Sequence, residues 1–282
     1  MQKSDPIKTD YTDLDKIIDG LYPGELMVIG AGFSMGKTSF LASLIKNITW
    51  KQGRKGLLFS LCKPIDAFRV YLISPATGIK AIIIAYPEKF ELEKQLKKDE
   101  QEYLKMISFE VSNLPLFIDD TEAKNINDLC ESARKMIKNN GVEIIFIDNI
   151  DYIVTDNATS WSVAQSEIMT KLKQLAKELN VPVIGTTNVP RVGWGRIPPS
   201  LDLFQSCIND NADVILLLNR KRAEDFTPIP TDLNIAKNSY GDTGEIKIMF
   251  YPKTICFGNM EISSDNEQNK IDGDTNESIK TN

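Results

Sequence analysis

Residues 26–38 read LMVIGAGFSMGKT, an apolar run followed by a glycine-bearing turn and then by Gly36-Lys37-Thr38 at the head of a helix. The apolar run predicts a buried strand. The turn presents successive backbone N–H groups as an anion nest, and the helix N-terminus adds partial positive charge at the same place. A nucleoside triphosphate needs this order: Lys37 reaches the β- and γ-phosphates, and the Thr38 hydroxyl holds Mg²⁺. The strict pattern asks for Gly at its first position, where this chain has Ala31 between Gly30 and Gly32. An ordinary strand–turn–helix is the plainer reading of GKT alone. With strand and helix both in place, the expectation is a phosphate cradle built by Ala31, Gly32, Phe33, Ser34, Met35, Gly36, Lys37, Thr38 and Ser39.

The chain has 282 residues, 42% of them hydrophobic, enough for a sizeable core in one large domain or two small ones. Its longest apolar runs, such as Ala81–Ala85 and Val214–Leu218, are too short to span a bilayer, so no membrane partner is expected. The opening MQKSDPIKTD lacks the apolar stretch of a signal peptide. Cysteines 62, 130, 207 and 256 show no CxxC spacing and are expected as reduced thiols of a cytoplasmic protein, without zinc or disulfides. There is no histidine, which excludes Ser-His-Asp and Cys-His catalysis and leaves proton transfer to carboxylates or water. Net charge is −6; residues 263–282 hold five acids and two lysines, so that tail contributes −3 and the remainder −3. The tail is almost without apolar residues and reads as disordered. Any contact with nucleic acid would therefore come from local basic segments rather than from the global field.

Apolar strands alternate with helical stretches, which predicts an α/β fold with a mostly parallel sheet. Expected strands cover 26–31, 56–61, 116–119, 143–148 and 181–186, and expected helices cover 37–50, 64–74, 89–107, 125–138 and 162–179. From residue 213 the chain turns strand-rich (213–218, 232–237, 244–250, 254–258), suggesting antiparallel additions at the sheet edge. Asp148 ends the apolar strand 143–147, so it falls on the ligand-binding edge of a parallel sheet. Beside a phosphate loop it takes the second Mg²⁺-holding role; Asp151, past the strand end, is a weaker competitor.

These landmarks together resemble the C-terminal motor domain of the DnaB family of replicative helicases. The resemblance covers roughly residues 9–260. It runs from TDYTDLDKIIDGLYPGELMVIGAGFSMGKTSF through LPLFIDDT (114–121), VEIIFIDNIDYI (142–153) and LKQLAKELNVPVIGTTN (172–188) to NADVILLLNR (211–220) and LNIAKNSYGDTGEIKIMF (233–250). It implies a RecA-like P-loop NTPase core over 23–260, with 1–22 as an N-terminal lead-in and 261–282 as the disordered acidic tail. It further implies ATP and Mg²⁺ as cofactors and a ring-shaped, usually hexameric motor on single-stranded DNA, with ATP between subunits. Position by position, Ser34, Gly36, Lys37 and Thr38 match the phosphate loop, and Asp148 the metal-holding acid. Asn188 stands where the family usually has a γ-phosphate-sensing Gln, and Arg191 matches an arginine after it. Lys237 matches the lysine reaching across to a neighbour's nucleotide.

Several positions depart from that pattern. The family's Ser-Leu-Glu, whose Glu polarises the attacking water, reads Ser60-Leu61-Cys62 here, and the arginine-finger position holds Ser239. The DNA-facing loop reads Leu203-Phe204-Gln205-Ser206-Cys207, and Asp10 replaces a usual Gly near the start. Losing a general base costs about 10²–10⁴ in rate, and losing an arginine finger about 10³–10⁵, so binding is better supported than hydrolysis. Only about eight residues precede the matching segment, too few for the family's N-terminal domain and linker helix. A homo-oligomer, a mixed ring with another helicase subunit, and a chain acting alone all stay open. Arg191, Arg196 and the cluster Arg220-Lys221-Arg222 are candidate DNA-phosphate contacts, and Trp194 a base-stacking one; solvated loops are the bland reading of each. The leading reading is an ATP-dependent DNA helicase domain in replication, with hydrolysis impaired. A nucleotide-binding accessory protein acting on a complete helicase is the alternative, and a strand-exchange recombinase fits less well.

Overall fold

The strands of the sheet centre are buried along almost their whole length, and apolar over most of it, because helices cover both faces of the sheet. The computed structural model describes residues 5–122, 124–156, 158–189 and 206–260. The chain opens with α1 (Thr12–Ile18) and passes through β1 (Leu26–Ala31) into α2 (Lys37–Ile45), which continues as a π-helical turn over Lys46–Lys51. There follow β2 (Gly56–Ser60), α3 (Ile65–Thr77), the short α4 (Ala81–Ala85) and α5 (Leu92–Gln95), α6 (Lys98–Ser112) and β3 (Leu116–Asp119). Next come α7 (Ile126–Asn140), β4 (Ile144–Asp148), α8 (Trp161–Leu179) and β5 (Val183–Asn188). The last part holds α9 (Ser206–Asn211), β6 (Val214–Arg220), β7 (Ile229–Asn238), β8 (Gly244–Tyr251) and β9 (Cys256–Asn259).

The nine strands form one sheet in the order β3-β2-β4-β5-β1-β6-β7-β8-β9. Pairings from β3 across to β6 are parallel, and β6 through β9 are antiparallel, as the strand-rich C-terminal part predicted. Successive residues of a strand face opposite sides. On one side Met27, Ile29, Leu58, Phe146 and Leu216 pack with Phe40, Leu44 and Phe68. On the other, Val28, Leu57, Ile145, Val183 and Leu217 pack with Leu129, Met169 and Leu172. Ile7, Tyr11, Leu14 and Ile18 join the first of these cores. Rings step from Tyr11 to Phe40 (5.2 Å between centroids), to Phe257 (5.6 Å) and to Phe250 (4.8 Å), bracing α2 against the antiparallel strands.

Several boundaries differ from expectation by a few residues, two of them for clear reasons. The helix anticipated over 89–107 is broken at Leu96-Lys97, where the Lys97 N–H donates to Glu100 Oε2 at 2.8 Å and a fresh helix starts. The strand anticipated at 181–186 begins two residues later, past Pro182, and runs to Asn188. All four cysteines are free. No helix among the described residues is long and apolar enough to cross a membrane. Arg191, Trp194, Arg196, residues 203–205 and the acidic tail lie outside the described residues.

Candidate nucleotide site

The parallel register delivers the ends of several strands to one sheet edge. Ala31 lies opposite Asn188 and Leu218, and Ser60 opposite Asp148. Between β1 and α2 the loop bends through two left-handed residues, Ser34 (φ 61) and Gly36 (φ 100). Gly36 must be glycine, because a Cβ there would stand 2.9 Å from Phe257 Cε2 in addition to the φ strain. The Lys37 ammonium donates to the carbonyls of Ala31 and Gly32, 3.1 Å each, and lies 5.9 Å from the Phe33 ring centroid. Burial lowers its pKa, against the opposing pull of Asp151 and Asp148. An ammonium satisfied only by loop carbonyls can exchange them for phosphate oxygens without breaking an ion pair.

Asp148 is 1% exposed. Thr38 Oγ1 donates to its Oδ2 at 2.9 Å, Thr186 Oγ1 to its Oδ1 at 2.8 Å, and the Cys62 thiol to Oδ2 at 3.5 Å. Among the described residues no cation pairs with this buried carboxylate. A buried charge held by neutral donors alone, with a threonine hydroxyl at its edge, fits a hard divalent cation. The sequence reading thus has its two metal candidates, Thr38 and Asp148, in direct contact.

Cys62 follows β2 and faces the same carboxylate. Burial, reinforced by the Asp148 charge, pushes its thiol up to about 11. It therefore stays a neutral donor and has no basicity to offer a water molecule. Asp151, weighed from sequence as a weaker competitor of Asp148 for the metal, has both oxygens engaged elsewhere. Its Oδ2 accepts from the Asn188 side chain at 2.7 Å and the Asn188 N–H at 2.8 Å, and its Oδ1 from Thr187 Oγ1 at 2.6 Å. Asp151 fixes the direction of Asn188. Thr186 likewise carried no signal by itself; the run Thr186-Thr187-Asn188 at a strand end, opposite two acids, was the available clue.

Lys237 and Ser239 are not brought to this edge. Lys237 pairs with Ile215 near the start of β6, while the loop-side end of that strand is Arg220. Five residues of strand separate them, about 17 Å. The Lys237 ammonium donates to Asn209 O and to Ala212 O, and the Ser239 N–H to Asp213 O. Arg220 also differs from expectation. Rather than joining Lys221 and Arg222 as a DNA-phosphate contact, its guanidinium bonds to Ser34 O and Met35 O of the loop.

The family model for the DnaB-like helicase C terminal domain matches residues 6–259. The replicative DNA helicase DnaB of Treponema pallidum (strain Nichols) is 30% identical over 255 residues, covering 89% of this chain and 56% of that protein. Its counterpart from Haemophilus influenzae is 28% identical, covering 90% and 55%. Among solved structures, a chain described as an ATPase domain superposes with a TM-score of 0.80 at 27% identity, covering 91% of this chain and 92% of that one. A DnaB-like replicative helicase described with its interactions with primase gives 0.79 at 26% identity, covering 91% and 62%. The chain spans about half the length of the curated relatives it matches.

Proposed function

Because this chain belongs to the DnaB-like helicase C-terminal domain family, we propose that it is a replicative-helicase motor domain binding ATP–Mg²⁺ at residues 31–39 and acting on single-stranded DNA. One observation carries the reading: the buried Asp148 carboxylate, held by neutral donors only, touches Thr38 one residue after Lys37. Bound Mg²⁺ would supply charge neutralisation on the β- and γ-oxygens. Thr38 and Asp148 would hold it, Lys37 would exchange the Ala31 and Gly32 carbonyls for phosphate oxygens, and Asn188, aimed by Asp151, would meet the terminal phosphate. Lys237 and Ser239 lie too far from their own loop to act on it, so they serve a neighbouring copy or another helicase subunit. Arg191 and Arg196 are the proposed contacts to DNA phosphates.

Turnover is slow in this reading. Cys62 supplies no general base, a loss of about 10²–10⁴, and Ser239 no finger, a loss of about 10³–10⁵; the two do not simply multiply. The breadth of the family match, residues 6–259, supports a helicase domain over a nucleotide-binding accessory protein. Calorimetry with ATP–Mg²⁺ tests the binding: heat is expected for the wild type and its loss in Lys37→Ala. A wild type without heat overturns the proposal. In Cys62→Glu with Ser239→Arg, DNA-dependent turnover rises by about 10² or more; no gain would mean that these two positions do not limit hydrolysis.

A further inference from the structure

Arg220 closes β6 on the same sheet edge as Ala31 and opposite Thr231 of β7. Its guanidinium does not extend into solvent. It turns back over Phe250, with Cζ 4.0 Å from the ring centroid, and forks onto the loop. Nη2 donates to Ser34 O at 2.8 Å and Nε to Met35 O at 3.1 Å, while Nη1 donates to Lys221 O at 2.9 Å. Burial lowers its pKa, and among the described residues no carboxylate pairs with it. The fold half-buries a cation against the loop and matches it with main-chain oxygens and the Phe250 ring.

We propose that Arg220 is a positioning residue for the phosphate loop, holding two of its peptide planes so that their N–H groups face the triphosphate. A trans peptide is planar, so the C=O of one residue and the N–H of the next point in opposite directions. Fixing the Ser34 and Met35 carbonyls on the guanidinium turns the Met35 and Gly36 amides to the opposite side. The Met35 N–H already points at Gly32 O, 3.4 Å away, the same oxygen that receives the Lys37 ammonium. The Gly36 amide thus joins those at the start of α2 as a single nest, and the Met35 amide joins it on exchanging Gly32 O for a phosphate oxygen. The loop needs the support. Ser34 sits at φ 61, a region in which a side-chain-bearing residue is strained, and its flanking planes have no strand or helix ladder to hold them. Two parallel donors of a planar fork fit two successive carbonyls, and an ammonium would not.

The inference rests on the nucleotide reading above, and its test separates the two. Wild type, Arg220→Ala and Arg220→Lys are titrated calorimetrically with inorganic tripolyphosphate–Mg²⁺ and with ATP–Mg²⁺. Amide hydrogen exchange at Met35 and Gly36 and thermal unfolding are recorded without ligand. Arg220→Ala is expected to weaken both ligands by the same factor, about tenfold to a hundredfold. Arg220→Lys is expected to fall between, with faster exchange at both amides and little change in unfolding temperature. Loss confined to ATP places Arg220 on the nucleoside and overturns the proposal, as does unchanged affinity for both ligands. If the wild type binds neither, the nucleotide reading fails. Amide exchange, which needs no ligand, then still decides whether Arg220 orders the loop: unchanged rates in both variants reject it.

Discussion

At the residue scale, the decisive contacts are carboxylates satisfied in two different ways. Asp148 gathers hydroxyl and thiol donors around a carboxylate with no ion-pair partner among the described residues, while Asp151 spends both oxygens on Thr187 and Asn188. Asp151→Ala should therefore leave ATP–Mg²⁺ affinity within about twofold yet lower turnover about tenfold to a hundredfold, because Asn188 loses its direction. Single-turnover kinetics in the Cys62→Glu, Ser239→Arg background would measure this, and an unchanged rate would leave Asn188 without a positioning partner. The Lys37, Thr38 and Asp148 cluster was legible in the sequence because each sits at a fixed offset from a strand end. Asp151's actual work was not, since nothing in IDNID distinguishes an acid facing a metal from one facing an amide.

At the element scale, ion pairs tie helices to strand ends. Lys173 of α8 pairs with Asp213, whose Oδ2 also accepts the Leu26 N–H at the start of β1. With side-chain exposures of 14% and 9%, this pair is buried. Lys173→Met leaves an unpaired buried carboxylate and should cost about 3–5 kcal/mol, roughly 10 °C in unfolding temperature. Differential scanning calorimetry would show it, and a shift under about 2 °C would place the pair effectively in water. Asp119, at the end of β3, meets Lys124 and the Thr121 N–H; burial pushes its carboxyl up, but these bonds outweigh it and hold it below its free value of 3.8. A depressed carboxyl stabilises the fold above its unfolded value, and the effect disappears as pH falls through the folded one. Lys124→Met should accordingly destabilise by about 1–2 kcal/mol at pH 7 and progressively less below pH 4, as read by urea unfolding. Helix α1 escaped the sequence reading because TDLDKII buries only Leu14 and Ile18 and has no side-chain cap.

At the scale of the whole molecule, the sheet separates the phosphate loop from Lys237 and Ser239. The loop, Asp148 and Asn188 occupy the C-terminal edge of the parallel strands, whereas Lys237 and Ser239 come out near the start of β6, beyond reach of the same nucleotide. If Lys237 serves a neighbour's nucleotide as proposed, copies of the chain would associate head-to-tail. Mixing Lys37→Ala chains with Lys237→Ala chains should then restore turnover that neither has alone, in about one quarter of the interfaces of a random assembly. Steady-state ATPase with single-stranded DNA would report it. No recovery on mixing would confine the site to a single chain or to a different partner.

The amino-acid order alone determined the strands buried on both faces, the anion nest after the first of them and the acid that ends the fourth. Each of these is written in neighbouring residues, as an uninterrupted apolar run, a glycine turn or an offset of a few positions. Tertiary structure alone decided that Arg220 supports the loop, that Asp151 serves Asn188, and that Lys237 lies at the far edge. Those outcomes depend on strand order and register, which bring Arg220 to Ser34, 186 positions away in the chain. No local periodicity encodes such a pairing, because it exists only once the sheet has closed.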